Sequence, residues 1–234
     1  MTGTSLYLAG ATGLTGSHTL RAGLASHLAT ITTFSRRPIN TPTTTPSTVA
    51  HRSIVLDFDH PETWPDIFSE PSGQPTGEQK GKVFASCLGT TREAAGTLEN
   101  QRKIDYDLNL SLAKKAKEAG VDTYILVSTG MASSKTRFAY LRMKGELEDA
   151  VRDLNFKSTY ILQPGLLYGQ REEKRMAEGW SQFLFNGLKS VGLPMGRYSI
   201  DAEVIGECIT KLALAPKDGV HVLSNMEILA FVKK

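Results

Sequence analysis

The chain has 234 residues, 40% hydrophobic and 22% charged, with a net charge of +3. That length suits one domain with its own core, and so small a positive balance argues against a nucleic-acid surface. Cys87 and Cys208 stand far apart, and the five histidines show no ligand spacing, which excludes a disulfide framework and a metal-site pattern. No apolar run approaches the roughly 18 residues needed to cross a bilayer.

The amino-terminal third is poor in acid. Its first carboxylate is Asp57, after Arg21, Arg36, Arg37 and Arg52 and many Ser and Thr. This is the composition of a mitochondrial transit peptide. The same segment nevertheless opens with the apolar run "SLYLA" (5–9) and a turn carrying Gly10, Gly13 and Gly16. Cleavage there would remove a first strand, so the segment is expected to be folded and retained.

Further strand-length runs follow at 29–34, 53–58, 82–88, 123–128 and 158–164, with a weaker one at 219–224. They are apolar on both faces and rich in Val, Ile, Leu and Tyr, as strands of a buried parallel sheet are. Helical patterns lie between them at 15–28, 96–120, 137–154 and 201–215. The long second one ends at Gly120, and Pro216 stops the last. The alternation predicts an α/β fold: a doubly wound, mostly parallel sheet in three layers, with right-handed crossovers. Residues 1–234 read as a single dinucleotide-binding domain, with 165–234 contributing a small substrate-side lobe. The segments 40–50 and 69–82, rich in Pro, Thr, Ser and Gly, read as surface loops.

Strand, glycine turn, helix is the arrangement that receives a dinucleotide pyrophosphate. A turn without side chains lets the backbone approach the phosphates, and the helix start offers unpaired N–H groups. Gly10, Thr12, Gly13, Leu14, Thr15 and Gly16 form that turn, and the Thr12 and Thr15 hydroxyls add donors. The end of the second strand selects the cofactor. An NAD site places Asp or Glu there to hold the ribose. This chain has Ser35-Arg36-Arg37, and two guanidiniums suit a 2′-phosphate, so NADP(H) is expected. The plain alternative is two solvated loop arginines. Asp57, at the end of the third predicted strand, is placed for the adenine edge. Cys87, Leu88 and Gly89 after strand four, and Pro164 and Gly165 after strand six, make further close-approach turns.

The catalytic candidates are Tyr140, Lys144 and Ser128. Tyr140 and Lys144 are spaced i, i+4 on a predicted helix, so they share a face. A phenol of pKa near 10 needs help to trade a proton at neutral pH, and an ammonium beside a nicotinamide cation would supply it. Ser128, ending strand five, would orient a substrate carbonyl.

"AGATGLTGSH", "FSRRP", "CLGTTREAAGT", "KIDYDLN", "YLRMKGELE" and "QPGLLYGQREE" together resemble the atypical short-chain dehydrogenase/reductases. More closely, the chain resembles the FMP-type fungal mitochondrial proteins, relatives of the Tat-interacting-protein-like NAD(P)-binding family. The resemblance implies a Rossmann fold binding NADP(H), with Arg36 at the 2′-phosphate and Tyr140 and Lys144 at the nicotinamide and ribose. It alone implies a peripheral protein of the mitochondrial outer membrane. The chain departs from the pattern at Gln163, where relatives often carry Arg, and at Thr129, which takes the place of a second serine. Reduction of a small carbonyl compound is one expectation, and a non-catalytic nucleotide-dependent scaffold or sensor is the other. A sugar-nucleotide epimerase ranks last, because its substrate lobe would need more chain. The apolar end "EILAFVKK" has two readings: a rest on anionic lipid, or simply a packed final element. Oligomeric state is left open; helices on such folds commonly form two-fold contacts, so a homodimer is one arrangement.

Overall fold

The computed structural model describes residues 3–40, 48–69, 81–169 and 199–233. Seven strands form one parallel sheet: β1 (Ser5–Ala9), β2 (Thr30–Ser35), β3 (Ala50–Val55), β4 (Lys82–Ser86), β5 (Thr123–Val127), β6 (Ser158–Gln163) and β9 (Gly219–Ser224). Their order is β3-β2-β1-β4-β5-β6-β9. The chain thus winds outward from β1 in one direction, then returns to β4 and winds in the other. This is the Rossmann fold, and its switch point lies between β1 and β4.

The five central strands, β1, β2, β4, β5 and β6, are buried on both faces, whereas the edge strands β3 and β9 are largely exposed. On β1, Leu6 and Leu8 join one apolar cluster while Tyr7 and Ala9 join the other. The first cluster is covered by α1 (Leu14–Leu24) and by α6 (Ala202–Leu214), through Leu20, Leu24, Ile205 and Ile209. The second is covered by α4 (Asn109–Glu118) and α5 (Ala139–Asp153), through Leu112, Ala113, Leu147 and Val151. Phe34, Phe68, Phe84 and Tyr124 pack edge-on or tilted within it.

The long predicted helix at 96–120 is continuous but not uniform. It begins as α3 (Leu98–Arg102), capped by the Thr97 hydroxyl, after a single turn α2 (Arg92–Ala95). It widens into a π-helical stretch (Lys103–Leu108) and resumes as α4. Its end is as expected: the N–H groups of Gly120 and Val121 donate back to Lys117 O and Ala116 O at 3.1 and 3.0 Å.

One expected boundary is corrected. The third strand is Ala50–Val55 rather than 53–58, because Thr30 pairs with Ala50 and Ser35 with Val55. The run 53–58 is the more apolar, yet the pairing takes in "AHR" (50–52) instead of its last three residues. Of the expected lobe at 165–234, residues 170–198 lie outside the described residues. The remainder includes a two-stranded parallel ribbon, β7 (Leu166–Tyr168) with β8 (Ser199–Asp201). It also includes α6, β9 and α7 (Asn225–Val232), whose Ile228 is fully buried. The helix α7 went unpredicted although its capping box is legible: Ser224 and Glu227 exchange bonds as an S-x-x-E start. Leu229, Phe231 and Val232 pack on the core, so the apolar end is a packed element. Among the described residues no helix is long and apolar enough to cross a membrane.

Candidate nucleotide site and its polar face

The glycine turn sits at the switch point. Gly10 adopts φ +83°, and a side chain there would stand 2.6 Å from the Cys87 carbonyl oxygen. The loops leaving β1 and β4 therefore touch backbone to backbone. Gly16 is tighter still: a Cβ would lie 2.0 Å from Gly10 O. The Gly13 N–H closes the turn on Gly10 O at 2.9 Å. Gly13 is the N-cap of α1 and supplies no side-chain acceptor, and the first turn of α1 has no acidic residue. Anion-binding helix starts share this disposition. Thr12 and Gly13 are exposed and Leu14 is half-buried, whereas Thr15 and Gly16 are buried.

Arg36 and Arg37 follow β2 directly and are exposed, with no ion pair among the described residues. The Ser35 hydroxyl donates to Arg37 O at 2.5 Å, which fixes the turn behind them. Asp57 is exposed two residues past β3 rather than at its end. Its Oδ1 accepts from the Asp59 N–H at 3.0 Å, and its carbonyl takes the Trp64 indole N–H at 2.5 Å, so it forms a turn.

After β4, Cys87 and Leu88 wall the glycine turn and pack on opposite clusters. Burial pushes the Cys87 thiol up to about 12, with the Thr19 hydroxyl 3.8 Å from the sulfur. Cys87 itself is half-buried and packs against the first cluster. Gly89 is exposed beside Asp105. After β6, Pro164 O accepts the Gly130 N–H at 2.7 Å, and the Gly165 N–H donates to Asn225 Oδ1 at 2.8 Å. These bonds tie the ends of β5, β6 and α7 together.

The helix α5 brings Tyr140, Lys144 and Glu148 onto one face, four residues apart each time. Lys144 is 3% exposed and Glu148 2%. Lys144 Nζ lies 3.9 Å from Asp105 Oδ1 of the π-helical stretch. Burial pushes the ammonium below its usual range, against the pull of Asp105 and Glu148. Burial likewise pushes the Tyr140 phenol up to about 12, and the Asp105 charge adds to it. The expected depression of Tyr140 by Lys144 is thus not produced by the protein's own groups, which hold the phenol protonated. Ser128, 7% exposed, donates to Glu148 Oε1 at 2.5 Å. The Gln163 amide donates to both Glu148 oxygens at 3.0 Å, and Arg152 Nη2 approaches Oε2 at 3.4 Å. The Ser128 hydroxyl is therefore engaged inside the protein.

Residues 79–186 match a family model described as HIM1. A protein of Emericella nidulans named "Protein fmp52, mitochondrial" is 39% identical over 91% of this chain and 88% of its own length. Its namesake in Aspergillus clavatus is 37% identical over 96% of each. The chain belongs to the Fmp52 family. Among solved structures, MoeE5 in complex with UDP-glucose and NAD superposes with a TM-score of 0.66 at 14% identity, covering 94% of this chain and 75% of that one. The UDP-glucose 4-epimerase of Thermotoga maritima gives 0.64 at 16%, covering 94% and 76%. At that identity the likeness shows the shared Rossmann fold.

Missed by the sequence reading were Asp105 and Glu148, the two buried carboxylates that face Lys144. Glu148 had a legible signal, the i+4 spacing from Lys144. Asp105 had none, because its contact depends on the widened turn.

Proposed function

We propose that this Fmp52-family chain is an NADP(H)-binding protein of short-chain dehydrogenase/reductase type that reduces a small carbonyl compound. The observation that carries the reading is the glycine turn at the switch point, followed at the end of β2 by two exposed arginines and no carboxylate. NAD is bound in MoeE5 and in the Bordetella bronchiseptica enzyme WbmG, two neighbours by fold, which supports a nicotinamide dinucleotide here. NADPH, if held there, would supply the hydride, and Tyr140, held protonated, would donate the proton to the carbonyl oxygen. Lys144 holds the ribose and stabilises the phenolate left behind. We assign the protein to the mitochondrion, peripheral on its outer membrane. The relatives' names support the first part, and the sequence resemblance supports the second.

A second reading keeps the nucleotide site and drops turnover, making the chain a nucleotide-dependent scaffold or sensor. The Ser128 hydroxyl, committed to Glu148, favours it.

The test is titration with NADPH and with NADH, following nucleotide fluorescence, on the native chain and Arg36→Asp. The native chain binds NADPH more tightly, and the variant loses about tenfold to hundredfold toward NADPH, the worth of one charge-assisted contact. Binding of neither nucleotide overturns the reading. Turnover of a screened aldehyde or ketone, lost in Tyr140→Phe, decides for the reductase over the sensor.

A further inference from the structure

Asp105 is a carboxylate only 1% exposed, on an element that carries no other part of the candidate site. Its two oxygens face two different places. Oδ2 accepts the Thr90 N–H at 2.8 Å, in the loop that follows β4. Oδ1 lies 3.9 Å from Lys144 Nζ on α5. The same loop is held from its other side by Gln101, whose amide donates to Thr90 O at 3.0 Å. Both atoms of the Thr90 backbone are thus gripped by one helix, while the loop itself adjoins the glycine turn through Cys87 and Leu88.

The widened turn is what turns Asp105 inward, and it is braced. A π-helical turn leaves carbonyls poorly paired and recurs where function needs it. Here the buried Asn109 amide donates to Ile104 O and Asp105 O at 3.0 and 3.2 Å, and its oxygen accepts from the Ser86 hydroxyl at 2.5 Å. A carboxylate in such a place costs stability unless it is paired and hydrogen-bonded. A surface loop N–H could be met by water at no such cost.

We propose that Asp105 is a positioning residue that ties the loop after β4 to the ammonium of Lys144, so that the seating of the loop and the charge at Lys144 and Tyr140 respond to one another. The link itself is a property of the protein alone; its consequence for NADPH rests on the function proposed above. Among the described residues, the charged and titratable groups facing Lys144 are Asp105 from the π-helical turn and Glu148 from its own helix, with Tyr140 one turn before it. Asp105 and Glu148 both hold the ammonium up against burial. Removing the Asp105 charge therefore lowers Lys144, and lowers Tyr140 as well, since Asp105 helps to raise it.

Asp105→Asn keeps the size and an acceptor for Thr90 while removing the charge; Asp105→Ala removes both. Titrating an isotope-labelled lysine ε-carbon by NMR, with Lys144→Arg for assignment, reads the link directly. Asp105→Asn lowers Lys144 by about one pH unit, about tenfold in proton affinity. An unmoved Lys144 in folded Asp105→Asn overturns the proposal. Lys144→Met gives the reciprocal measurement should that variant not fold. The Thr90 amide resonance, which follows the Asp105 carboxyl, then titrates at higher pH, and indifference of that resonance overturns the proposal equally. With NADPH as probe, Asp105→Ala weakens binding about tenfold and Asp105→Asn restores most of it. Should NADPH not bind the native chain, the function fails while the two NMR arms still decide the link.

Discussion

The turn between β1 and α1 and the inward face of α5 lie along the same sheet and are built in opposite ways. The turn is made of backbone. Gly10 and Gly16 are there because a Cβ at either would stand 2.6 or 2.0 Å from a carbonyl oxygen. The face of α5 is made of side chains, with Lys144 and Glu148 buried and each answered by partners on other elements. In the first region one residue type is the only steric solution. In the second, several residue types could fill the space, and the choice is set by which charge meets which. The difference predicts different failures: steric and abrupt at the turn, electrostatic and rescuable on the helix.

Gly16→Ala should show the largest effect. The obstructing atom is main-chain oxygen, which cannot swing aside, so the turn must open or α1 must shift. We expect a loss of about 3 kcal/mol or more in urea unfolding, in the range of severe steric mutations. A loss below about 1 kcal/mol would show that the turn is pliable and would erase the contrast.

Glu148→Ala comes next. It leaves the Ser128 hydroxyl and the Gln163 amide without their acceptor in a buried place, for about 2–3 kcal/mol. Unlike the turn, this site should accept a shape-matched rescue: Glu148→Gln keeps an oxygen for Ser128 and should recover much of the loss. Equal damage from both variants would mean that the charge itself, shared with Arg152 at 3.4 Å, holds the cluster.

The same contrast explains what could be read from the sequence. The parallel sheet and the turn were legible because buried parallel strands and close backbone approaches leave few residue choices. The third strand was misplaced by three residues, since "AHR" looks polar alone and is held by pairing with β2. The i+4 spacing set Glu148 on the face of Lys144, but its partners were hidden for a different reason. Ser128, Gln163 and Glu148 meet only after β5, β6 and α5 are assembled, and no local pattern encodes that meeting. Gln163 looked like a departure at an arginine position, yet its amide satisfies both oxygens of Glu148. Asp105 was hidden further, because its contact with Lys144 passes through a π-helical turn that helical periodicity does not announce.

Gly13→Ala should show the smallest loss of stability and makes the sharpest test of the turn. Its φ and ψ, −80° and 170°, suit any residue. An added Cβ would lie 3.3 Å from Gly10 O, close enough to require a small adjustment only. Exchanging Gly for Ala at an N-cap costs up to about 1 kcal/mol. The fold therefore does not demand glycine here as it does at Gly16. On the proposed function, what favours glycine at Gly13 is the open approach to the first N–H groups of α1, which a methyl group would crowd against a phosphate. Thermal unfolding should move little, while NADPH affinity falls by about tenfold, the worth of one disturbed hydrogen-bonded contact. Binding lost with stability kept would separate the turn's architectural glycines from its functional one. Affinity and stability both unmoved would mean that the N–H groups of this helix start hold no pyrophosphate.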